Sequence, residues 1–222
     1  EKLLAGNISE VASTKTGTVP KLTDANTTIT KSPNDWTTQE VTATVTTTEK
    51  NYALQTKKDN GEWQTTNSQK YTENGTIYAR LWDGTNAGEE IYKPITNIDK
   101  TAPTATNIEI KNVTPAGYDV YVYGVKDNGS GVNRVQFPTW TEAKGQDDIQ
   151  PNWQTGESSK GTKQADGTTW VYHVNITDHK TEAGEYNTHI YAYDNLGNGK
   201  CIGTQKVTIP MVKITYDENY VK

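Results

Sequence analysis

The sequence predicts an all-β protein made of two tandem antiparallel β-sandwiches. The chain has 37 Thr, 13 Tyr and 6 Trp among its 222 residues, and β-branched and aromatic side chains favour pleated, half-buried strands. Short runs in which apolar and polar residues alternate are separated by Asn-Gly and Asp-Gly turns. One internal segment lacks this period, and it divides the pattern into two parts.

Residues 97–105, Asn-Ile-Asp-Lys-Thr-Ala-Pro-Thr-Ala, form the dividing segment. Pro103 restricts its own φ and favours an extended Ala102, so we expect a short, stiff and nearly straight linker. The two domains are then predicted at residues 25–100 and 101–210. Residues 1–24 are expected to be a leader or linker with a weak helix, and residues 211–222 a tail or the start of a next segment.

The first domain contains the clearest alternation in the chain. Val41, Ala43 and Val45 alternate with threonines, which places an apolar row inward and a threonine row toward solvent. The sequence around Asn60-Gly61 predicts a two-residue hairpin turn. The later strands are predicted from the apolar residues Ile77, Ala79, Leu81, Ile91 and Ile95.

Four short motifs occupy turn and core positions of this domain. They are residues 35–36 (Asp-Trp), 61–63 (Gly-Glu-Trp), 73–80 (Glu-Asn-Gly-Thr-Ile-Tyr-Ala-Arg) and 97–103. Together they resemble the bacterial immunoglobulin-like repeats of Gram-positive surface proteins, over about the whole first domain. The resemblance implies an immunoglobulin-like sandwich. Because its residues lie in turns and the core, it implies no chemistry.

The second domain has strands with apolar residues on both faces, as central strands tend to have. Strands are predicted around residues 108–110, 118–125, 132–137, 170–176, 186–193 and 202–209. We expect Trp170, Tyr186 and Ile190 in its core. A long polar excursion lies between Trp140 and Asp166.

A compound motif covers this excursion and the strands after it. Its first half is Gly-Gln-Asp-Asp at residues 145–148 followed by Trp153, and its second half is Gly-x-Tyr-x-x-His-x-Tyr-x-x-Asp at residues 184–194. The combination is similar to the Bsp-like repeat of streptococcal surface proteins, and implies a second immunoglobulin-like sandwich. Further matching positions are Pro138, Trp140, Glu142, His179 and Gly197. The resemblance also implies a place beside peptidoglycan hydrolases and other wall-associated modules, whereas residues 156–162 are an extra segment relative to the family.

Composition excludes several classes of protein. A net charge of −5 and a pI near 5.3 leave no basic stripe for phosphates, so no nucleic-acid partner is expected. A single cysteine excludes an intrachain disulfide framework, and no run of about 18 apolar residues predicts a membrane span. We expect an extracellular, monomeric fragment of a longer bacterial surface or cell-wall protein.

Candidate catalytic residues do not form a recognisable site in the sequence. Asp147 and Asp148 are adjacent and would point to opposite faces of a strand. His179 and His189 lack the spacing of zinc ligands, so we expect them to pack beside tyrosines with one ring nitrogen hydrogen-bonded. No enzyme activity is predicted.

Two turns, at residues 127–131 (Asp-Asn-Gly-Ser-Gly) and 194–198 (Asp-Asn-Leu-Gly-Asn), are similar to fragments of a calcium loop. Neither has the alternating carboxylates and terminal glutamate of that loop, so both are interpreted as turns. Cys201 is expected to be a half-buried, inert thiol on a strand. The sequence therefore predicts no metal site and no cofactor.

Aromatic residues are the main functional lead. Trp140 and Trp153 flank Gln146, Asp147 and Asp148, and π faces beside hydrogen-bond acceptors are typical of sugar-binding sites. These five residues are the predicted ligand site, for a cell-wall glycan or a host surface ligand. In the alternative, the tryptophans fill the core, because the chain has one Phe.

The sequence thus favours a non-catalytic structural or adhesive segment of a Gram-positive cell-surface or wall-associated protein. The competing hypothesis is a carbohydrate-binding module that targets a cell-wall hydrolase to peptidoglycan.

Overall fold

The protein is all-β in a computed structural model that describes residues 18–211. Two compact units are present. Among the described residues, the first contains 18–34 together with Glu40–Thr96, and the second contains Asp35–Gln39 together with 97–211. The predicted weak helix at the start of the chain and nearly all of the predicted tail lie outside the described residues.

The first unit is a sandwich of two three-stranded antiparallel sheets, ordered β1-β2-β4 and β3-β5-β6. Its strands are β1 (Thr27–Ser32), β2 (Val41–Thr47), β3 (Ala53–Lys58), β4 (Ser68–Tyr71), β5 (Gly75–Trp82) and β6 (Ile91–Ile95). In β2 and β5 every second residue is buried, because successive side chains of a strand point to opposite faces. The predicted inward rows of both strands are confirmed.

The predicted hairpin at Asn60-Gly61 is wrong. A turn is present, since the Gly61 amide donates to the Lys58 carbonyl at 2.9 Å, and the positive φ belongs to Asp59 at 48°. The chain folds back on β3 only through one antiparallel bridge, in which Thr56 and Gln64 exchange backbone hydrogen bonds at 2.9 Å. A wider turn thus replaces the two-residue hairpin. β3 pairs along its length with β5, and the next strand, β4, joins the other sheet.

The second unit contains two four-stranded antiparallel sheets. One sheet has the order β11-β12-β8-β7, and in the other β13 pairs with β9, β10 and β14. The strands are β7 (Asn107–Thr114), β8 (Gly117–Tyr123), β9 (Val132–Gln136), β10 (Thr139–Thr141), β11 (Thr162–Lys163), β12 (Trp170–Asn175), β13 (Gly184–Asp194) and β14 (Gly199–Ile209). This sandwich carries the candidate sites.

The core of the second unit combines large aromatic residues with aliphatic ones. Trp170, Tyr186 and Ile190 are buried, as predicted. Tyr118 meets Tyr186 edge-on with ring centroids 6.0 Å apart, and its hydroxyl lies 2.7 Å from the hydroxyl of Thr188. The buried hydroxyls are paired, which removes most of the cost of taking them out of water.

The segment predicted as a linker is part of the second unit. Asn97, Ile98 and Asp99 are only 4%, 6% and 4% exposed. The Thr37 amide donates to the Asn97 carbonyl and the Asp99 amide donates to the Thr37 carbonyl, both at 2.9 Å. The first three residues of the predicted stiff linker therefore belong to the second unit, where the segment 35–39 holds them in place.

Within residues 18–211 no helix has the length and apolar character needed to cross a membrane.

Candidate functional site

One face of β13 presents a row of aromatic side chains. Because side chains alternate along a strand, His189, Tyr191 and Tyr193 share one face while Ile190 and Ala192 are buried on the other. The three aromatic residues are only partly buried. Part of each ring therefore remains accessible to solvent.

Two tryptophans from outside β13 extend this row. Trp140, on β10, meets His189 edge-on with ring centroids 4.8 Å apart and ring planes at 69°. Trp153, from the long loop after β10, lies against Tyr191 with centroids 4.7 Å apart and planes at 44°. We call Trp140, Trp153, His189, Tyr191 and Tyr193 the aromatic strip. Aromatic contacts of this kind fix the rings of the strip in place.

Arg134 and Gly199 complete one end of the aromatic strip. Arg134 lies directly opposite Tyr193 in the β9–β13 register, and its guanidinium is 4.1 Å from the centre of that ring. A Cβ atom at Gly199 would lie 2.2 Å from the Tyr193 ring, so this close packing requires glycine. The strip thus ends in a cation stacked on an aromatic face.

The imidazole of His189 is neutral at neutral pH. Burial lowers its pKa from the ordinary value of 6.5, because an apolar environment disfavours the charged form. His189 also lies near Tyr191, with ring centroids 6.5 Å apart. The centre of the strip can therefore offer stacking faces and a neutral ring nitrogen to a polar, uncharged ligand.

A buried carboxylate fixes the long loop that carries Trp153. Asp148 is 8% exposed, and both of its oxygens lie 3.1 Å from the Thr141 amide, which donates to them. Its Oδ2 lies 3.2 Å from Nδ1 of His179, which is fully buried. The His179 ring also packs edge-on against Tyr186 with centroids 5.5 Å apart. This environment agrees with the expectation that the histidine packs beside a tyrosine.

Two further buried side chains hold the same loop. The amide of Gln150 accepts from the Thr139 backbone at 2.9 Å and donates to the Tyr172 hydroxyl at 2.9 Å. Ser159 donates to the carbonyl of Trp153 at 2.8 Å. Because buried polar groups in this loop are paired with the sandwich, Trp153 is carried by a well-anchored segment.

The structure does not bring the five predicted ligand residues together in one site. Trp140 and Trp153 both belong to the aromatic strip. Gln146 and Asp147 are exposed in the loop, and Asp147 pairs with Lys180 at 2.5 Å. Asp148 is buried against protein donors. Ligand binding by this set stays a prediction. The structure adds three β13 residues: His189 and Tyr191, which belong to the family motif, and Tyr193, which does not.

Two histidines of the described residues lie beside carboxylates. His173 Nδ1 lies 2.6 Å from a carboxylate oxygen of Asp119, and His179 faces Asp148. Within residues 18–211 no histidine is hydrogen-bonded to a serine, threonine or cysteine side chain. Cys201 is exposed, so the expectation of a half-buried thiol is wrong.

One group of residues was not expected to come together. Asp99, Asp127 and Asp194 lie far apart in the sequence but meet in the second unit, with one carboxylate oxygen of each within 4.8 Å of the others. Two of them begin the turns that are similar to calcium-loop fragments. The sequence interpretation missed the group because it placed Asp99 in a linker.

One family model matches most of the second unit. Residues 105–207 match the family model of the GBS Bsp-like repeat, which agrees with the resemblance seen in the sequence. For the first unit the likeness to immunoglobulin-like domains is one of fold. No curated protein matches the chain.

Several solved structures are similar to the chain at low identity. A polysaccharide deacetylase from Bacillus cereus is 16% identical, with 46% of this chain and 29% of that chain covered and a TM-score of 0.34. Fibronectin(III)-like modules from Clostridium thermocellum are 12% identical, with 86% and 100% covered and a TM-score of 0.35. A tetra-tandem repeat from the extending region of a large adhesion protein is 18% identical, with 83% and 49% covered and a TM-score of 0.38. This chain thus spans less than a third of the deacetylase and about half of the adhesion repeat.

Proposed function

We propose that the protein is a non-catalytic structural or adhesive segment of a Gram-positive cell-surface or wall-associated protein. The match of residues 105–207 to the GBS Bsp-like repeat carries this proposal. Two sandwiches in tandem support it, because folds of this class recur as modules of cell-surface proteins.

The location can be tested on the bacterium that carries the protein. Antibodies against the 222-residue chain should label intact cells, and mild protease treatment of those cells should remove the signal. Wall-degrading enzymes should release the antigen into the soluble fraction. Detection only after cell lysis would contradict the proposal.

A second candidate function is carbohydrate binding, and the aromatic strip favours it. Tryptophan and tyrosine faces stack on the C–H surfaces of sugars, while their polar edges and a neutral His189 can hydrogen-bond to hydroxyl groups. In this function the second unit would bind cell-wall glycan, which would suit a module that targets a wall hydrolase to peptidoglycan. A host surface glycan would be recognised by the same chemistry.

Retention on purified cell walls tests the second candidate. Trp153→Ala should abolish retention of the chain on sedimented walls, because it removes one stacking face of the strip. Trp36→Ala is the matched control, since Trp36 is a 42% exposed tryptophan in the same unit and lies outside the strip. If the parent chain stays in the supernatant, or if both variants are retained equally, the strip is not a wall-glycan site and the spacer role stands alone.

A further inference from the structure

Three carboxylates converge at one end of the second unit. Asp99 is 4% exposed and Asp194 is 1% exposed, whereas Asp127 is partly buried. One oxygen from each lies within 4.8 Å of the others. We call these three residues the aspartate cluster. It is separate from the aromatic strip, because no residue belongs to both.

The two turns of the cluster are built around their aspartates. Asp127 Oδ2 accepts from the amides of Gly129 and Gly131 at 3.0 and 2.8 Å. Asp194 Oδ1 accepts from the amides of Leu196 and Asn198 at 2.9 and 2.7 Å. Each turn therefore holds its carboxylate in a defined orientation.

Asp99 is joined to both turns. Its Oδ2 accepts from the Ser130 amide at 2.8 Å, and its carbonyl accepts from the side-chain amide of Asn198 at 3.1 Å. A Cβ atom at Gly129 would lie 2.3 Å from the Asp99 carboxylate, so glycine permits the close approach of the first turn. The three segments are thus fitted to one another around the cluster.

The hydroxyl of Ser130 is a second and independent sign of a ligand. Its Oγ is buried and has no hydrogen-bond partner among the described residues. The backbone amide of the same residue donates to Asp99 Oδ2 at 2.8 Å, so Ser130 lies directly beside this carboxylate. An oxygen left unpaired next to the cluster is an available ligand atom.

The charge of the cluster calls for a cation. Three acidic side chains meet in the aspartate cluster. The hydrogen bonds to their carboxylates come from neutral donors, so they leave the negative charge of the cluster in place. Buried carboxylates that lie close together repel each other and lose hydration, unless a cation or a proton neutralises them. A single cation among the three oxygens would neutralise the cluster.

We propose that the aspartate cluster binds one calcium ion, with Asp99, Asp127 and Asp194 as carboxylate ligands and the Ser130 hydroxyl as a further oxygen donor. Calcium takes oxygen ligands at about 2.3–2.6 Å, so two ligands on opposite sides of the ion lie up to about 5 Å apart. The 4.8 Å spacing of the cluster fits that diameter. Magnesium, with bonds of about 2.0–2.1 Å and strict octahedral geometry, requires a tighter cluster.

Calorimetric titration of the whole chain with calcium chloride, after removal of metal with a chelator, tests the proposal. We expect one site per chain with a dissociation constant of about 1 mM or tighter, as in extracellular calcium modules. Calcium at saturation should raise the melting temperature of the second unit by roughly 3–8 °C, because it binds only the folded state. Magnesium chloride at the same concentration should give a smaller rise.

Asp127→Asn should remove the binding heat and the calcium-dependent rise in melting temperature. Asp166→Asn is the matched control, because Asp166 also caps a turn by accepting from the backbone amides of residues 168 and 169 but lies outside the cluster. Unchanged calcium binding by Asp127→Asn would overturn the proposal. If that variant does not fold, the titration of the parent chain decides alone. No binding heat at calcium concentrations up to ten times the expected dissociation constant would also overturn the proposal.

Discussion

Trp170→Ala tests the energetic account of the second sandwich. Trp170 is 4% exposed and lies in the apolar cluster that contains residues from both sheets of the unit. Truncation of a buried tryptophan to alanine costs about 3–5 kcal/mol, because it removes apolar contacts and leaves a cavity. In a domain of about 100 residues this should lower the melting temperature by roughly 10 °C or more.

A second substitution at the same position separates packing from polarity. The indole N–H of Trp170 is buried and has no hydrogen-bond partner within residues 18–211, and such a group costs about 1–3 kcal/mol. Trp170→Phe removes this donor and keeps most of the ring volume. We therefore expect it to lose less than about 1.5 kcal/mol, well below the loss in Trp170→Ala.

Scanning calorimetry of the whole chain is the appropriate assay, because two units can unfold in separate transitions. Trp63→Ala in the first unit is the control: it should leave the transition that Trp170→Ala moves unchanged. A loss below about 1 kcal/mol in Trp170→Ala would show that the ring does not support the core. Equal losses in the alanine and phenylalanine variants would refute the argument about the unpaired indole nitrogen.

Three further predictions concern the loop, pH and the domain boundary. Asp148→Ala should lower the free energy of unfolding by about 1–3 kcal/mol and accelerate trypsin cleavage within residues 142–160, because the Thr141 amide and His179 lose their acceptor. Unchanged cleavage would contradict the anchoring role. The pKa of His189 is lowered in the folded state, so the unfolded state binds the proton more readily, and the stability of the fold should decrease as pH drops below about 6.5. His189→Gln should flatten this part of the pH profile of the melting temperature. An unchanged profile would exclude His189 as its cause. We also propose that the second unit folds even without its segment 35–39, and that a chain starting at Asn97 melts above one starting at Thr101, because the latter lacks Asp99. Equal melting temperatures would place the boundary at residue 101.

Local periodicity in the sequence determined most of the strands. The alternation of Val41, Ala43 and Val45 with threonines could be assigned without any structure, because a strand repeats every two residues and one face must be buried. The same rule predicted the core positions of Trp170 and Ile190. The compound Gly-x-Tyr-x-x-His motif likewise predicted the resemblance to the Bsp-like repeat, whose family model matches residues 105–207.

Pairing between distant strands could not be obtained in this way. The pattern of β3 specifies which residues face inward, but it does not specify that β5 is its partner, so the turn at Asn60-Gly61 was wrongly predicted to be a hairpin. The polar residues 146–148 were grouped with Trp140 and Trp153 as one ligand site because they are neighbours in the sequence. Only the fold separates buried Asp148 from the aromatic strip.

The sequence by itself determined the fold class, the strand faces and the likeness to a surface-protein repeat, because each depends on residues that are close in the chain. Tertiary structure alone decided that Asn97–Asp99 belong to the second unit, and that Asp99 meets Asp127 and Asp194. These contacts join segments separated by tens of residues. Their formation depends on how the sheets of the second unit bring its turns to one end, and no local pattern of residues encodes that convergence.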